Sequence, residues 1–296
     1  MNATDFLSSN SYIYLPTSKN PKVALVVDNS ALAQNAFKLY NPFSQKAKLF
    51  KKGNQLAFIS FNAISKIVWR TKQEEKSAFV SYLETKLDKM LVASLYFASI
   101  NDKVVMQLQT PDAQIVGYLK YPLNEVGLQH LENEKKAIEI LSEKNIVQQY
   151  LLHDEFNGIS FLLLSALEGK IGLVERSQVD ELILKFKREE LYKFSDHPRI
   201  MELKKSVNNN DMSKYLSLIA EICKNSTMQY ALVYEHGDFT PWNIVNVDGN
   251  YIPFDFEYFV EDGLEYFDII KYYYQIAKLL EAKDGEELLE FVSTQV

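Results

Sequence analysis

The chain has 296 residues, 47% hydrophobic and 24% charged, which is enough apolar material for one large domain or two lobes and excludes wholesale disorder. Its formal net charge of −7 argues against nucleic acid as a partner. Cys223 is the only cysteine, so no disulfide can close within the chain and no cysteine-based metal site can form, which fits a reducing cytoplasm. Met1 to Asn10 lacks a basic end followed by an apolar core, so no secretory signal is expected. The longest apolar run, Ile159 to Leu167, is about half of the ~20 residues a membrane span needs, so no transmembrane segment is expected.

Along the chain, Tyr12 to Leu15 and Val23 to Val27 read as short strands punctuated by Pro16 and Pro21. Ser30 is placed to cap a short helix through Phe37. The brief apolar runs Leu56 to Phe61 and Ile64 to Arg70 read as strands. Phe79, Val80, Leu83, Leu87 and Leu91 recur at steps of three and four, which predicts a helix over 77–91. Residues 1–92 carry no motif with chemistry and are expected to form a folded N-terminal extension.

Three strands follow, Leu95 to Ile100, Lys103 to Gln109 and Gln114 to Tyr121, separated by the turn chemistry of Asn101-Asp102 and Thr110-Pro111-Asp112. A helix is expected from Glu125 to Glu143. Val147 to Leu152 and Gly158 to Leu164 form a hairpin across Asn157-Gly158. Beyond Ser165 to Gly169 the pattern is mainly helical, over 174–194, 211–226, 264–280 and 285–296, with a short strand at Asn250 to Phe254. The expected fold is α+β: a β-rich portion over 93–168, a mainly helical portion over 169–296, and the extension over 1–92. No internal repeat is visible.

The chemistry concentrates in His236-Gly237-Asp238-Phe239-Thr240-Pro241-Trp242-Asn243, followed twelve residues later by Asp255-Phe256-Glu257. Transfer of a phosphoryl group from a nucleotide requires cancelled phosphate charge, a held magnesium ion and an oriented hydroxyl. A strand lysine fixed by a helix carboxylate meets the first need, and an aspartate that accepts the hydroxyl proton meets the last. An asparagine five positions on and a further aspartate supply the hard oxygens magnesium prefers. Lys120, Glu134, Asp238, Asn243 and Asp255 occur in that order. Glu132 competes with Glu134, because helix residues two apart face different ways.

These residues resemble the catalytic signature of the aminoglycoside phosphotransferase and choline kinase family, relatives of the protein kinases. The resemblance covers roughly 95–285 and is most specific over 236–257. It implies a two-lobed protein-kinase-like fold, with a β-rich N-lobe and a mainly helical C-lobe, that binds ATP and Mg2+. It also implies that Asp238 is the catalytic base, that Asn243 and Asp255 are metal ligands, and that Lys120 contacts phosphate and pairs with Glu134. The backbone of Leu164 to Leu167, including Ser165 and Leu167, would bind adenine. His236 would support the catalytic loop from within, and Asp268 matches a position that braces it.

Two departures stand out. No glycine lies between Gly53 and Gly117, so the phosphate-covering loop near Ser99 to Lys103 is not glycine-rich. Glu257 stands where protein kinases have glycine. The expected activity is therefore phosphorylation of a hydroxyl on a small molecule, such as a sugar or amino sugar, with a pseudokinase binding module as the alternative. His130, His153 and His197 show no partner pattern. The run Lys46, Lys48, Lys51 and Lys52 reads as a solvated face, and Glu257, Glu261, Asp262 and Glu265 as an acidic helix start.

Overall fold

Val23–Val26 is apolar at every position, and a strand of that kind must be covered on both faces. In the computed structural model, which describes residues 3–17, 19–39, 45–69, 71–97, 102–144, 146–206 and 227–296, it is covered in that way. Ala24 and Val26 enter one apolar cluster, and Val23, Leu25 and Val27 enter another. The period-2 geometry of a strand assigns alternate residues to the two clusters. The chain divides into two compact units, one of residues 1–131 with 149–166 and one of residues 132–148 with 167–296.

The first unit is built on an antiparallel sheet. Its strands are β1 (Ser11–Leu15), β2 (Val23–Val26), β3 (Lys72–Gln73), β4 (Val92–Phe97), β5 (Lys103–Gln109), β6 (Ile115–Pro122), β7 (Tyr150–Phe156) and β8 (Ile159–Ser165). Their order is β3-β1-β2-β4-β5-β6-β8-β7. The first 92 residues thus add three strands to the sheet that carries Lys120, since β2 pairs with β4. The β7–β8 turn puts Asn157 and Gly158 at φ 53° and 79°, the left-handed pair that a two-residue hairpin demands.

Helix α1 (Ser30–Ala36) packs Ala33 and Ala36 on one face of the sheet. Its cap is Asn29 rather than Ser30: Asn29 Oδ1 accepts from Leu32 N at 2.9 Å. The runs expected as strands at 56–61 and 64–70 fall instead mainly in α2 (Gln45–Ser60) and α3 (Asn62–Val68), and Arg70 lies outside the described residues. A short apolar run fits either period, and here only Phe58 among the large residues of α2 is buried. Helix α4 (Ala78–Leu87) is capped by Ser77 Oγ and covers the other face with Phe79, Val80 and Leu83. The Phe79 ring lies 5.0–5.8 Å from the rings of Phe6, Tyr121, Phe156 and Phe161. His130 has a partner: Asp102 Oδ2 is 3.0 Å from its Nδ1, and Asp102, expected in a turn, is buried.

Helix α5 (Glu125–Leu141) begins in the first unit and ends in the second. In the second unit the helical expectation over 174–194 is corrected. Helix α6 (Arg176–Phe186) stops there, and Lys187–Lys193 is a strand. The polar run Lys187-Arg188-Glu189-Glu190 has no apolar stripe to bury as a helix, and it pairs as an edge strand instead.

Counting β9 (Lys170–Ile171) before it, that strand is β10, followed by β11 (Gln229–Glu235), β12 (Ile244–Val247), β13 (Asn250–Pro253) and β14 (Val260–Leu264). They form two three-stranded sheets, β10-β11-β14 and β13-β12-β9. Strands β9, β11, β12 and β14 were not expected from the sequence. The described α-helices of this unit after α6 are α7 (Pro198–Ser206), α8 (Phe267–Gln275), which runs on into a π-helical turn at Ile276–Leu280, and α9 (Gly285–Gln295). The helix expected at 211–226, Cys223 and the Ser99 to Asn101 part of the phosphate-covering loop lie outside the described residues. No described helix is long and apolar enough to cross a membrane.

Phe79→Ala should cost about 3–5 kcal/mol of unfolding free energy, because it opens a cavity among four aromatic rings. Denaturant unfolding of the full chain followed by far-UV circular dichroism measures this. A loss below about 1 kcal/mol would contradict the packing described.

Candidate active site

The segment 236–243 is the connection from β11 to β12, and 254–259 is the connection from β13 to β14. The β12–β13 hairpin holds the two together. Ile244 pairs with Pro253, and the turn Asp248-Gly249 has φ 50° and 92°. Phe254 N donates to Asn243 O at 3.0 Å, which carries the pairing one step beyond the ladder.

His236 is fully buried. Asp238 N donates to its Nδ1 at 3.3 Å, so the ring proton lies on Nε2, which faces Phe254 O at 3.0 Å. Burial holds the imidazole below its ordinary pKa and keeps it neutral. The ring also lies 4.3 Å from that of Phe256. His236 therefore links the two connections, as a support and not as a base.

Asp268, in the first turn of α8, receives two consecutive backbone donors: His236 N at 2.7 Å on Oδ2 and Gly237 N at 3.0 Å on Oδ1. Burial pushes its pKa up to about 7, the charge on Glu235 adds to that, and the two N–H donors oppose it. Glu235 is buried as well and is shifted upward by desolvation. Arg199 Nη2, 3.2 Å from Glu235 Oε1, offsets part of the cost. Gly237 takes φ 78°, and a Cβ there would stand 2.2 Å from Tyr258 O, so both conformation and space require glycine.

Asp238 is held on both oxygens. Lys271 Nζ is 3.2 Å from Oδ1, and Asn243 Nδ2 donates to Oδ2 at 3.1 Å and to Asp238 O at 3.0 Å. The spacing of five residues follows from the short 3-10 turn Pro241–Asn243, which turns Asn243 back over Asp238. With Nδ2 engaged twice, Oδ1 is the atom Asn243 can offer a metal. Asp238 stays about one-third exposed, open to a reactant.

Carboxylate oxygens of Glu134, Asp255 and Glu257 lie within 4.8 Å of one another. Glu134 and Glu257 are buried, and Glu132, the competing helix residue, is exposed. Asn133 Nδ2 donates to Glu257 O at 3.0 Å, so adjacent residues of α5 meet the Asp255-Phe256-Glu257 segment. Asp255 adopts φ 70°, an uncommon conformation for a non-glycine residue, and this turns it toward the cluster. Three hard oxygen donors at such spacing suit a divalent cation of the magnesium or calcium type.

Of the other sequence candidates, Lys120 and Ser165 belong to the first unit and Leu167 to the second. Lys120 is buried on β6 in the first unit, in register with Val105 and Leu162. Ser165 ends β8, and its N–H is used within the sheet, donating to Gln149 O at 2.8 Å. Leu167 is partly buried and begins the longer segment of the second unit. Two residues were missed as site members. Lys271 carries no motif of its own, and only its place one turn after Asp268 on α8 hints at it. Glu257 read as a departure from a family pattern rather than as a donor.

No protein-family profile and no curated protein matches the chain. Among solved structures, the chain is similar to small-molecule kinases. It shares 14% identity with an ethanolamine kinase from Plasmodium vivax, covering 90% of this chain and 79% of that one at a TM-score of 0.45. It shares 15% with an aminoglycoside phosphotransferase, APH(3'')-Id, from Streptomyces rimosus, covering 74% and 90% at 0.47. It shares 13% with a choline kinase from Cryptosporidium parvum, covering 69% and 72% at 0.41. What this chain can do chemically is carried by its own side chains.

Asp268→Asn should change the pH dependence of stability. The folded pKa of Asp268 lies above its unfolded value, so its stabilising contribution is fully present below about pH 4 and is lost as pH rises through about 7. The unfolding free energy of the wild type minus that of Asp268→Asn should fall by a few kcal/mol across that window. A difference that stays flat from pH 4 to 8 would show that this carboxyl ionises normally.

Proposed function

We propose that the protein is an ATP- and divalent-metal-dependent kinase that phosphorylates a hydroxyl of a small molecule. One observation carries this reading: a partly exposed carboxylate, Asp238, clamped on both oxygens and tied through Asn243 and the β12–β13 hairpin to a cluster of three carboxylates.

The roles follow. Asp238 orients the acceptor hydroxyl and takes its proton as the oxygen attacks the γ-phosphorus. The bond from that phosphorus to the bridging oxygen breaks, and ADP leaves with the electron pair. Asn243 Oδ1, Asp255 and Glu257 would hold a divalent cation, whose charge neutralises the phosphate oxygens. Lys120 is the strand lysine suited to bind phosphate, with Glu134 as its carboxylate counterpart in the sequence pattern. The backbone at Ser165 to Leu167 would take adenine, through groups other than the Ser165 N–H.

The acceptor would lie in the open depression of about 290 Å³ lined by Gly237, Phe267, Ile270, Lys271 and Tyr274. Lys271 borders both this space and Asp238. That size is at the small end of ligand pockets and fits a sugar or small alcohol better than a peptide.

Release of ADP in the presence of ATP, Mg2+ and a panel of sugars, amino sugars and small alcohols tests the activity. Once an acceptor is found, Asp238→Asn should lower kcat by about 10²–10⁴-fold while nucleotide-dependent thermal stabilisation persists. Wild-type turnover by that variant would remove Asp238 from the role of base. Nucleotide binding with no turnover on any acceptor would favour a binding module.

A further inference from the structure

Between Asp28 and Glu74 the sequence has no acidic residue. Of the chain's 32 Lys and Arg, eight fall in this stretch (Lys38, Lys46, Lys48, Lys51, Lys52, Lys66, Arg70 and Lys72) and none of its 39 Asp and Glu do. The stretch is therefore +8 in a chain of −7, which leaves the remainder at −15. Charge segregation on this scale is not the mixed, solvated face expected of an ordinary surface helix.

The same stretch displays apolar side chains to solvent. Leu49, Leu56, Phe61, Ile64, Ile67 and Val68 are each 62–79% exposed. Leu49 and Leu56, one heptad apart, share a stripe of α2, and Ile64, Ile67 and Val68 share a face of α3. Lys46, Lys48 and Lys52 are exposed beside them. Isolated exposed apolar residues need no explanation, but six of them concentrated on two successive helices and the residue joining them do.

The helices are not loosely attached. Phe58 is buried in the apolar cluster on the sheet. Asn62 Nδ2 donates to Val27 O at 3.0 Å, Lys66 Nζ to Asp28 O at 2.6 Å, and Ser65 Oγ to Ala57 O at 2.9 Å. The polar anchors face inward and the large aliphatic side chains face outward, so the helix pair is fastened to the sheet with its apolar side chains toward solvent.

We propose that α2 and α3 form a docking surface for an anionic phospholipid bilayer. A basic amphipathic element with Leu, Ile and Phe outward suits the headgroup region: lysines meet lipid phosphates and carboxylates while the aliphatic side chains enter the acyl boundary. A nucleic acid would use the charge but not the aliphatic side chains. Two copies facing each other through this surface would oppose two sets of lysines. The surface would hold the protein at a membrane as a peripheral protein, independently of what its carboxylate site does.

Co-sedimentation of the full chain with vesicles tests this. It should pellet with phosphatidylcholine vesicles containing about 30% phosphatidylserine, remain in solution with pure phosphatidylcholine, and be released by high salt. Lys46→Glu, Lys48→Glu and Lys52→Glu combined should weaken binding at least about a hundredfold. Leu49→Ser with Leu56→Ser, which leaves the charge intact, should weaken it about tenfold. All five positions are exposed or outward-facing, so the fold should be retained, as circular dichroism would confirm. No pelleting at millimolar anionic lipid, equal binding to neutral vesicles, or unchanged binding by both variants would overturn the proposal. So would self-association without lipid, seen by light scattering, that the Leu49→Ser and Leu56→Ser variant abolishes, since it would assign the face to a second copy.

Discussion

The site depends on a buried carboxylate that receives two successive backbone N–H groups. Asp268 faces the amides of His236 and Gly237 at 2.7 and 3.0 Å, and it does so from the first turn of a helix. Two amides can converge on one carboxylate only if the chain turns sharply between them, and Gly237 at φ 78° supplies that turn. The turn in turn directs Asp238 out of the core. The cost is a carboxyl held in apolar surroundings next to a second buried acid, Glu235, which is why it ionises only near neutral pH.

Around that point each support has a distinct partner. His236 fixes Phe254 by a hydrogen bond and Phe256 by ring contact, so the placement of Asp255 between them follows from the histidine. Asn243 fixes the carboxylate of Asp238 and, through its carbonyl, the start of the Asp255 segment. Removing one of these supports disturbs two segments at once, because each bridges rather than lines the site. This is the arrangement expected where side chains must hold a geometry to within a fraction of an ångström.

Charge is sorted along the molecule. The second unit gathers Glu134, Glu235, Asp238, Asp255, Glu257 and Asp268 into neighbouring segments, with Arg199 and Lys271 as counter-charges at Glu235 and Asp238. Such crowding of carboxylates favours a divalent cation among them. The stretch 29–73 does the reverse and is wholly basic. A net charge of −7 averages over these two halves and describes neither.

Local chemistry made much of the fold and site legible in the sequence. Asn157-Gly158 dictates a tight hairpin because few other residues accept left-handed φ. The five-residue step from Asp238 to Asn243 is a property of one short turn. The stripe of Phe79, Val80 and Leu83 needs no distant partner to be recognised as helical. Elsewhere the outcome depended on residues far away in the chain. Leu56 to Phe61 is helical because Phe58 alone is required by a sheet face built from 13–37, and 187–193 is a strand because β11 offers it an edge. Glu257 joins Glu134 across more than a hundred residues, and Lys271 reaches Asp238 only because Asp268 pins the helix there. Spacing along the chain encodes what one turn or one strand can do; which side chains finally meet is decided by long-range packing, which leaves no local period to read.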